Sequence, residues 1–328
     1  MSKQSFLKNV ADNLKTELSL KYLDDPEVGS IVKHRIPSSS QTLTKALGGG
    51  FPCGRLTEIF GEESSGKSSL VADIIAQTQK LGGTAIIIDS ENVFDPKRAA
   101  SMGVKTDDVV YSDEMTVEGA FEIMDAAVTE IKEKDLPSCI IWDSVAASPT
   151  RKELEGEIGD QSMAEKARLL SKGIRRITGK IGQNVALVFV NQVRTKMNVR
   201  FGKPTESSGG FAIRFAASVR LELTRIAQSK EAGPPTGIMC KAYTVKNKTH
   251  PPFKTARFEI NFQGGIDDSQ QIIEVLEEQK LITRKAQWYV YKNEAGEEIK
   301  FMRKNFATFL EKLGPKRDEI LEVALSQI

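Results

Sequence analysis

Apolar residues follow two rhythms along this chain. Short, mainly apolar runs at 56–60, 84–89, 139–143 and 186–191 read as buried strands. Between them, three-and-four spacing predicts helices over 68–81, 96–102, 117–134 and 164–182. Buried strands alternating with helices predict an α/β fold, a mostly parallel sheet with helices on both faces. Runs at 218–224, 239–246 and 258–262 follow one another through turns and read as an antiparallel extension of that sheet.

Both ends have a different texture. Phe6, Leu7, Val10, Leu14 and Leu18 form one stripe over residues 5–23, and Asp24-Asp25-Pro26-Glu27 with Gly29 makes a linker. A tethered helix cannot bury its stripe alone. It must pack on its own core or on a neighbouring subunit. Beyond Gly264-Gly265, residues 270–281 read as a charged helix. Trp288-Tyr289-Val290-Tyr291 and 298–301 form a hairpin around a turn at 293–296, and helices follow at 304–313 and 315–326. The expected division is an N-terminal helix and linker (1–30), a core (31–265) and a small C-terminal α/β domain (266–328).

Composition narrows the chemistry. The 328 residues carry a formal net charge of +2, so affinity for nucleic acid must come from a local patch. Cys53, Cys139 and Cys240 show no ligand spacing, as expected of a reduced, intracellular protein without a zinc site. The first residues lack the apolar core of a signal peptide, and no stretch has the length and apolarity of a membrane span.

The chemistry starts at Gly61-Glu62-Glu63-Ser64-Ser65-Gly66-Lys67-Ser68, between a predicted strand and the helix that opens with Ser69. This is the P-loop pattern G-x-x-x-x-G-K-[ST]. A triphosphate needs several backbone N–H donors, a helix N-terminus and a cation. The two glycines bring the backbone close, Lys67 reaches the β and γ phosphates, and Ser68 offers a hydroxyl to Mg²⁺. Gly48-Gly49-Gly50-Phe51-Pro52-Cys53-Gly54 does not match the dinucleotide fingerprint, which excludes a Rossmann dehydrogenase.

Partners for such a loop sit at the ends of neighbouring strands. Asp143 ends an apolar strand in the Walker B manner, suited to Mg²⁺. Glu91 lies just past another strand and could orient the attacking water; by spacing alone Asp89 competes with it. Asn191-Gln192 ends a third, where a neutral amide can sense a γ-phosphate. A long basic stretch follows: Arg194, Lys196, Met197, Asn198, Arg200, Phe201 and Lys203, then Ser207-Ser208-Gly209-Gly210. Cations with apolar side chains between them suit a single-stranded nucleic acid. The acidic segment 153–160 reads as a surface turn. Lys246 and Lys248, alternate residues at a strand end, face one way and could meet phosphates of a nucleotide or a nucleic acid.

These residues, taken together, resemble the RecA family. The motifs are 61–68, Ile-Asp-Ser-Glu at 88–91 with Asp95-Pro96, Trp-Asp-Ser-Val-Ala-Ala at 142–147 and Glu-Gly-Glu-Ile-Gly-Asp at 155–160. Asn-Gln-Val-Arg at 191–194, Gly209-Gly210, Ser218-Val219-Arg220-Leu221, Val-Lys-Asn-Lys at 245–248 and Gln287-Trp288-Tyr289 complete the series, in order, from about residue 40 to 292. The chain looks like a phage-encoded member, of the UvsX type. The resemblance implies a RecA-type ATPase core, an N-terminal helix that docks on the next protomer, and a small C-terminal domain. It implies ATP- and Mg²⁺-dependent filament assembly on single-stranded DNA, homology search in double-stranded DNA and strand exchange, in DNA repair and recombination in the cytoplasm.

Roles follow by matching position. Residues 61–69 bind phosphate, Ser68 and Asp143 hold Mg²⁺, and Glu91 is the catalytic acid. Gln192 links the γ-phosphate to the second DNA loop. Lys246 and Lys248 reach the ATP of the adjacent protomer, and Phe215 falls at the subunit interface. DNA contacts match Gly156, Glu157, Ile158 and Gly159 in the first loop and Arg168 and Arg175 in the helix after it. They also match Arg194, Lys196, Met197, Asn198, Arg200, Phe201, Ser208, Gly209 and Gly210, in and just after the second loop at about 193–208; the first loop spans about 153–162. Asp95 matches the contact to the adenine amino group. Where the family places an aromatic over the adenine this chain has Arg98, which could stack as a cation. The family's acidic C-terminal tail is not matched; the chain stops at Ile328, and weaker self-inhibition is expected. A hexameric helicase on the same core and a non-catalytic ATP-gated filament remain alternatives at this stage.

Overall fold

The computed structural model describes residues 31–131, 135–156, 163–195, 205–207, 210–229 and 234–328. The expected helix at 5–23 lies outside them. The described chain opens with β1 (Arg35–Ile36), α1 (Gln41–Ala46), β2 (Phe51–Pro52), β3 (Arg55–Gly61), α2 (Lys67–Lys80), β4 (Ala85–Asp89) and α3 (Pro96–Ser101). Next come β5 (Val109–Ser112), α4 (Val117–Ile131), β6 (Ser138–Asp143), α5 (Arg151–Glu155), α6 (Met163–Lys180), β7 (Val185–Thr195), β8 (Thr205–Ser207) and α7 (Gly210–Ala216). Then follow β9 (Val219–Ser229), β10 (Gly237–Asn247), β11 (Thr255–Asn261), β12 (Gly265–Asp267) and α8 (Ser269–Glu278). The chain closes with β13 (Ile282–Lys285), β14 (Trp288–Lys292), β15 (Glu298–Phe301), α9 (Phe306–Lys312) and α10 (Lys316–Ser326).

The large sheet runs β12-β11-β10-β9-β3-β7-β6-β4-β5, with β8 paired to the end of β7. Its central strands are buried almost throughout because both faces are covered. On one face α1 and α2 pack through Leu43, Leu70, Ile74 and Ile75 against Ile87, Ile141 and Val188. On the other α4 and α6 pack through Met124, Val128, Leu170 and Ile174 against Ile88 and Phe189. Trp142 sits edge-on between Phe121 and Phe189 at 5.5 and 5.2 Å, and its Nε1 donates to Ser90 and Ser148 at 3.0 and 3.1 Å. That indole joins the ends of β4 and β6, beside the residues that will matter.

Several expectations are corrected. β9 runs parallel to β3, so the antiparallel extension begins one strand later, at β10. β7 continues through Gln192 to Thr195, which places Gln192 inside the strand rather than past it. The reason is β8, which pairs with Val193–Thr195 and supplies the hydrogen bonds a lone extension would lack. β5 escaped notice because it is a short edge strand with exposed Val110 and Tyr111. The C-terminal hairpin is a three-stranded sheet, since β13 also pairs with β14. With α8, α9 and α10 it surrounds its own core, including Ile272, Leu276, Phe301, Phe309 and Leu321.

Candidate active site

β3 is the central strand, and the 61–68 loop leaves its carboxyl end. At Gly61 a Cβ would strike the carbonyl of Leu223 on β9, so only glycine lets the loop lie on the sheet. Gly66 caps α2 with φ +98°, a conformation that favours glycine. The first turn of the 14-residue α2 therefore presents its free N–H groups to the loop. Buried Ser65 Oγ has no hydrogen-bond partner among the described residues, an unmet polar atom inside the cradle. Lys67 Nζ donates to the carbonyls of Gly61 and Glu62 at 3.0 and 2.8 Å. Burial lowers its pKa, against the opposing pull of Asp143, Glu91 and Glu63.

Asp143 ends β6, and Ser68 hydrogen-bonds to it. Burial, Glu91 and Asp89 push its carboxyl up to about 7, while Lys67 and Ser68 pull the other way. Crowded carboxylates of this kind favour a cation between them. Among the described residues no group of three or more His, Cys, Asp or Glu could hold a metal. A cation at Ser68 and Asp143 would therefore be completed by oxygens of its ligand, which fits Mg²⁺ bound with a nucleotide.

The two competing acids face different surroundings. Asp89 is fully buried, and its Oδ2 accepts from the Phe94 N–H at 2.8 Å and the Tyr111 hydroxyl at 3.3 Å. It organises the turn after β4. Glu91 Oε1 instead accepts from Gln192 Nε2 at 2.9 Å and from the Ser144 hydroxyl. Residues 101 positions apart in the chain thus meet beside the loop.

A cavity of about 430 Å³ opens from Ser64, Gly66, Lys67, Ser68 and Ser69 towards Arg98. Arg98 donates to Ser69 Oγ at 2.9 Å, and its guanidinium lies 5.8 Å from the centre of the Phe262 ring. Asp95 caps α3, accepting from the Lys97 N–H at 2.8 Å. Sequence reasoning missed Phe262, Arg225 and Gln228, which line the same cavity. Phe262 was visible as an aromatic ending a predicted strand; nothing local said that this strand end would return to the loop. A larger hollow of about 1060 Å³ lies between β9–β12, α8 and residues 302–304; it shares Gln228, Pro235 and Phe262 with the smaller cavity but is not lined by Asp143, Glu91 or Lys67.

The nucleic-acid expectations that fall on described residues lie on several elements. β7 and β8 form an antiparallel hairpin with Arg194 opposite Glu206. Lys196, Met197, Asn198, Arg200, Phe201, Ser208 and Gly209 lie outside the described residues, as do Glu157, Ile158 and Gly159. Gly156 ends α5, its N–H donating to the Lys152 carbonyl at 2.9 Å. Gly210 opens α7, and Arg168 and Arg175 are exposed two turns apart on α6.

Lys246 and Lys248 do not line the nucleotide cavity of their own chain. Lys246 Nζ donates to the carbonyls of Arg214 and Phe215 at 2.9 and 3.2 Å, at the end of α7. Burial, Lys248 and Arg220 lower its pKa, and Glu58 opposes them. Lys248 lies just beyond β10. Beside them Phe211 and Phe215 are 65% and 74% exposed, with rings stacked at 6.0 Å.

Comparison with known proteins gives a consistent answer. The model of the RecA N-terminal domain family matches residues 16–267. A protein from Prochlorococcus marinus named Protein RecA is 41% identical over 288 residues, covering 88% of this chain and 74% of the relative. One of the same name from a Synechococcus species is 40% identical over 293 residues, covering 89% and 75%.

Proposed function

The chain belongs to the RecA family, and we propose how its residues divide the work of ATP-dependent homologous recombination. The protein assembles on single-stranded DNA, searches double-stranded DNA for homology and exchanges strands. Lys67, Ser69 and the backbone N–H groups of 61–68 hold the phosphates of ATP. Ser68 and Asp143 hold Mg²⁺, which supplies neutralising charge at the phosphate oxygens. Arg98, Asp95 and Phe262 take the base. Glu91 orients the water and draws its proton. Lys246 and Lys248 complete the site from the adjacent protomer, with Phe215 in the same contact.

The hydrogen bond from Gln192 to Glu91 carries this reading. One amide joins the acid to the strand that becomes the basic loop. A change at the γ-phosphate then changes the pull on β7, and with it the grip of 194–210 on DNA. The first loop at 156–159, Arg168 and Arg175 add contacts to the backbone. Base pairing, not the protein, supplies sequence specificity. The division into 1–30, 31–265 and 266–328 belongs to this proposal: the first segment docks on the next protomer, the second hydrolyses ATP, and the third is a separate small domain. A cytoplasmic location also belongs to it.

The test is ATP hydrolysis with and without single-stranded DNA, beside electron micrographs of the same mixtures. Helical filaments with DNA-stimulated hydrolysis are expected. Closed rings with unwinding would make it a helicase, and filaments without hydrolysis a passive DNA-binding scaffold. Arg194→Ala should reduce the salt dependence of DNA binding by about one ion per subunit. An unchanged slope in a salt titration would remove that contact.

A further inference from the structure

A polar row crosses the otherwise apolar centre of the sheet. Asn191 on β7 is paired with Phe60 on β3, two residues beyond Glu58 and so on the same face. Glu58 is paired with Arg220 on β9, and Arg220 with Lys246 on β10. The side chains close the gaps. Asn191 Nδ2 donates to Glu58 Oε1 at 3.0 Å, and Arg220 Nε donates to Glu58 Oε2 at 2.5 Å. The Arg220 guanidinium also lies over the Phe60 ring at 4.6 Å. Glu58 is fully buried and Arg220 nearly so.

The row reaches the nucleotide site at Asn191. Asn191 Oδ1 accepts the backbone N–H of Gln192 at 3.0 Å, and Gln192 holds Glu91. Beside a guanidinium Glu58 is a carboxylate, and a carboxylate only accepts hydrogen bonds. It therefore compels Asn191 to turn its NH₂ inwards and leave its oxygen for Gln192. Its other oxygen fixes Arg220, the neighbour of Lys246 in the ladder. A buried ion pair is costly to form and weak as a source of stability, which leaves specificity of arrangement as its use here.

We propose that Glu58 is a positioning residue that couples Gln192 at one nucleotide site to Lys246, which serves the next site along the filament. This rests on the family reading of Gln192 and Lys246. It adds that the two ends of one protomer communicate through the sheet as well as around the DNA loop.

Glu58→Gln tests it. A glutamine there can donate, so Asn191 is released to turn over and the Gln192 N–H loses its acceptor. Arg220 then loses the Glu58 carboxylate, so Glu58→Gln/Arg220→Met is made alongside it to remove the buried cation. Single-stranded DNA affinity is measured with a non-hydrolysable ATP analogue and with ADP, together with nucleotide affinity without DNA and thermal melting. Both variants should narrow the ATP-over-ADP preference about tenfold, with DNA-free nucleotide affinity held within about twofold. A cooperatively melting variant that keeps the wild-type preference overturns the proposal. So does an equal loss with both nucleotides that tracks the melting midpoint, since that marks a merely structural role. If the wild-type protein shows no nucleotide preference at all, the family reading of the site fails instead.

Discussion

Glu91→Gln is expected to assemble on single-stranded DNA with ATP and to lose turnover by about 10²–10⁴-fold. The replacement keeps the shape and keeps an oxygen able to accept from Gln192 and Ser144, the two donors that hold Glu91 Oε1. It removes only the charge that takes a proton from water. Assembly needs the phosphate to be bound, not cleaved, so filaments should persist and should be longer-lived than those of the wild type. Phosphate release and micrographs of the same sample measure both. Normal turnover would reassign the base. Asp89 is poorly placed to inherit the role, because it is fully buried and its Oδ2 is taken by Phe94 and Tyr111.

The second large effect is Lys246→Ala, which should lower DNA-stimulated hydrolysis by about 10³-fold or more, the range seen when a cation supplied in trans is removed. Within its own protomer the Lys246 ammonium closes the end of α7 through the Arg214 and Phe215 carbonyls. Losing that contact costs about 1 kcal/mol or less and cannot account for such a fall. Mixing the two variants separates the roles. A Lys246→Ala protomer keeps Glu91, and a Glu91→Gln neighbour keeps Lys246. In a head-to-tail filament of equal parts, about a quarter of the interfaces then hold an intact pair. Activity regained on mixing supports a shared site; a mixture as inactive as its components would sink it.

Wherever the physics is local, the chain was legible. Short apolar runs became β3, β4, β6 and β7, because a strand covered on both faces carries few polar positions. The 61–68 loop was readable because its glycines, its lysine and its helix start are neighbours in the chain, and Gly66 does take a left-handed φ. Edges were harder to read. β5 and β8 are short and lack a distinctive pattern, and each exists because a partner strand offers hydrogen bonds. The antiparallel turn of the sheet was placed one strand early, since an apolar run carries no sign of its direction.

Spacing alone named the acids near the loop but could not choose between Asp89 and Glu91, which lie two residues apart. Their orientations depend on Tyr111, Ser144 and Gln192, brought there by β5, β6 and β7. Glu58 and Arg220 are charges in two separate, largely apolar runs, with nothing local to say that register would set them side by side. Phe262 became part of the nucleotide cavity because β11 lies two strands from the P-loop strand's neighbour β9. The amino-acid order therefore settles which groups are available and which short segments present them, since hydrogen bonding and periodicity act over a few residues. Which groups touch is settled by strand order and register, and these follow only when the whole sheet has buried both its faces.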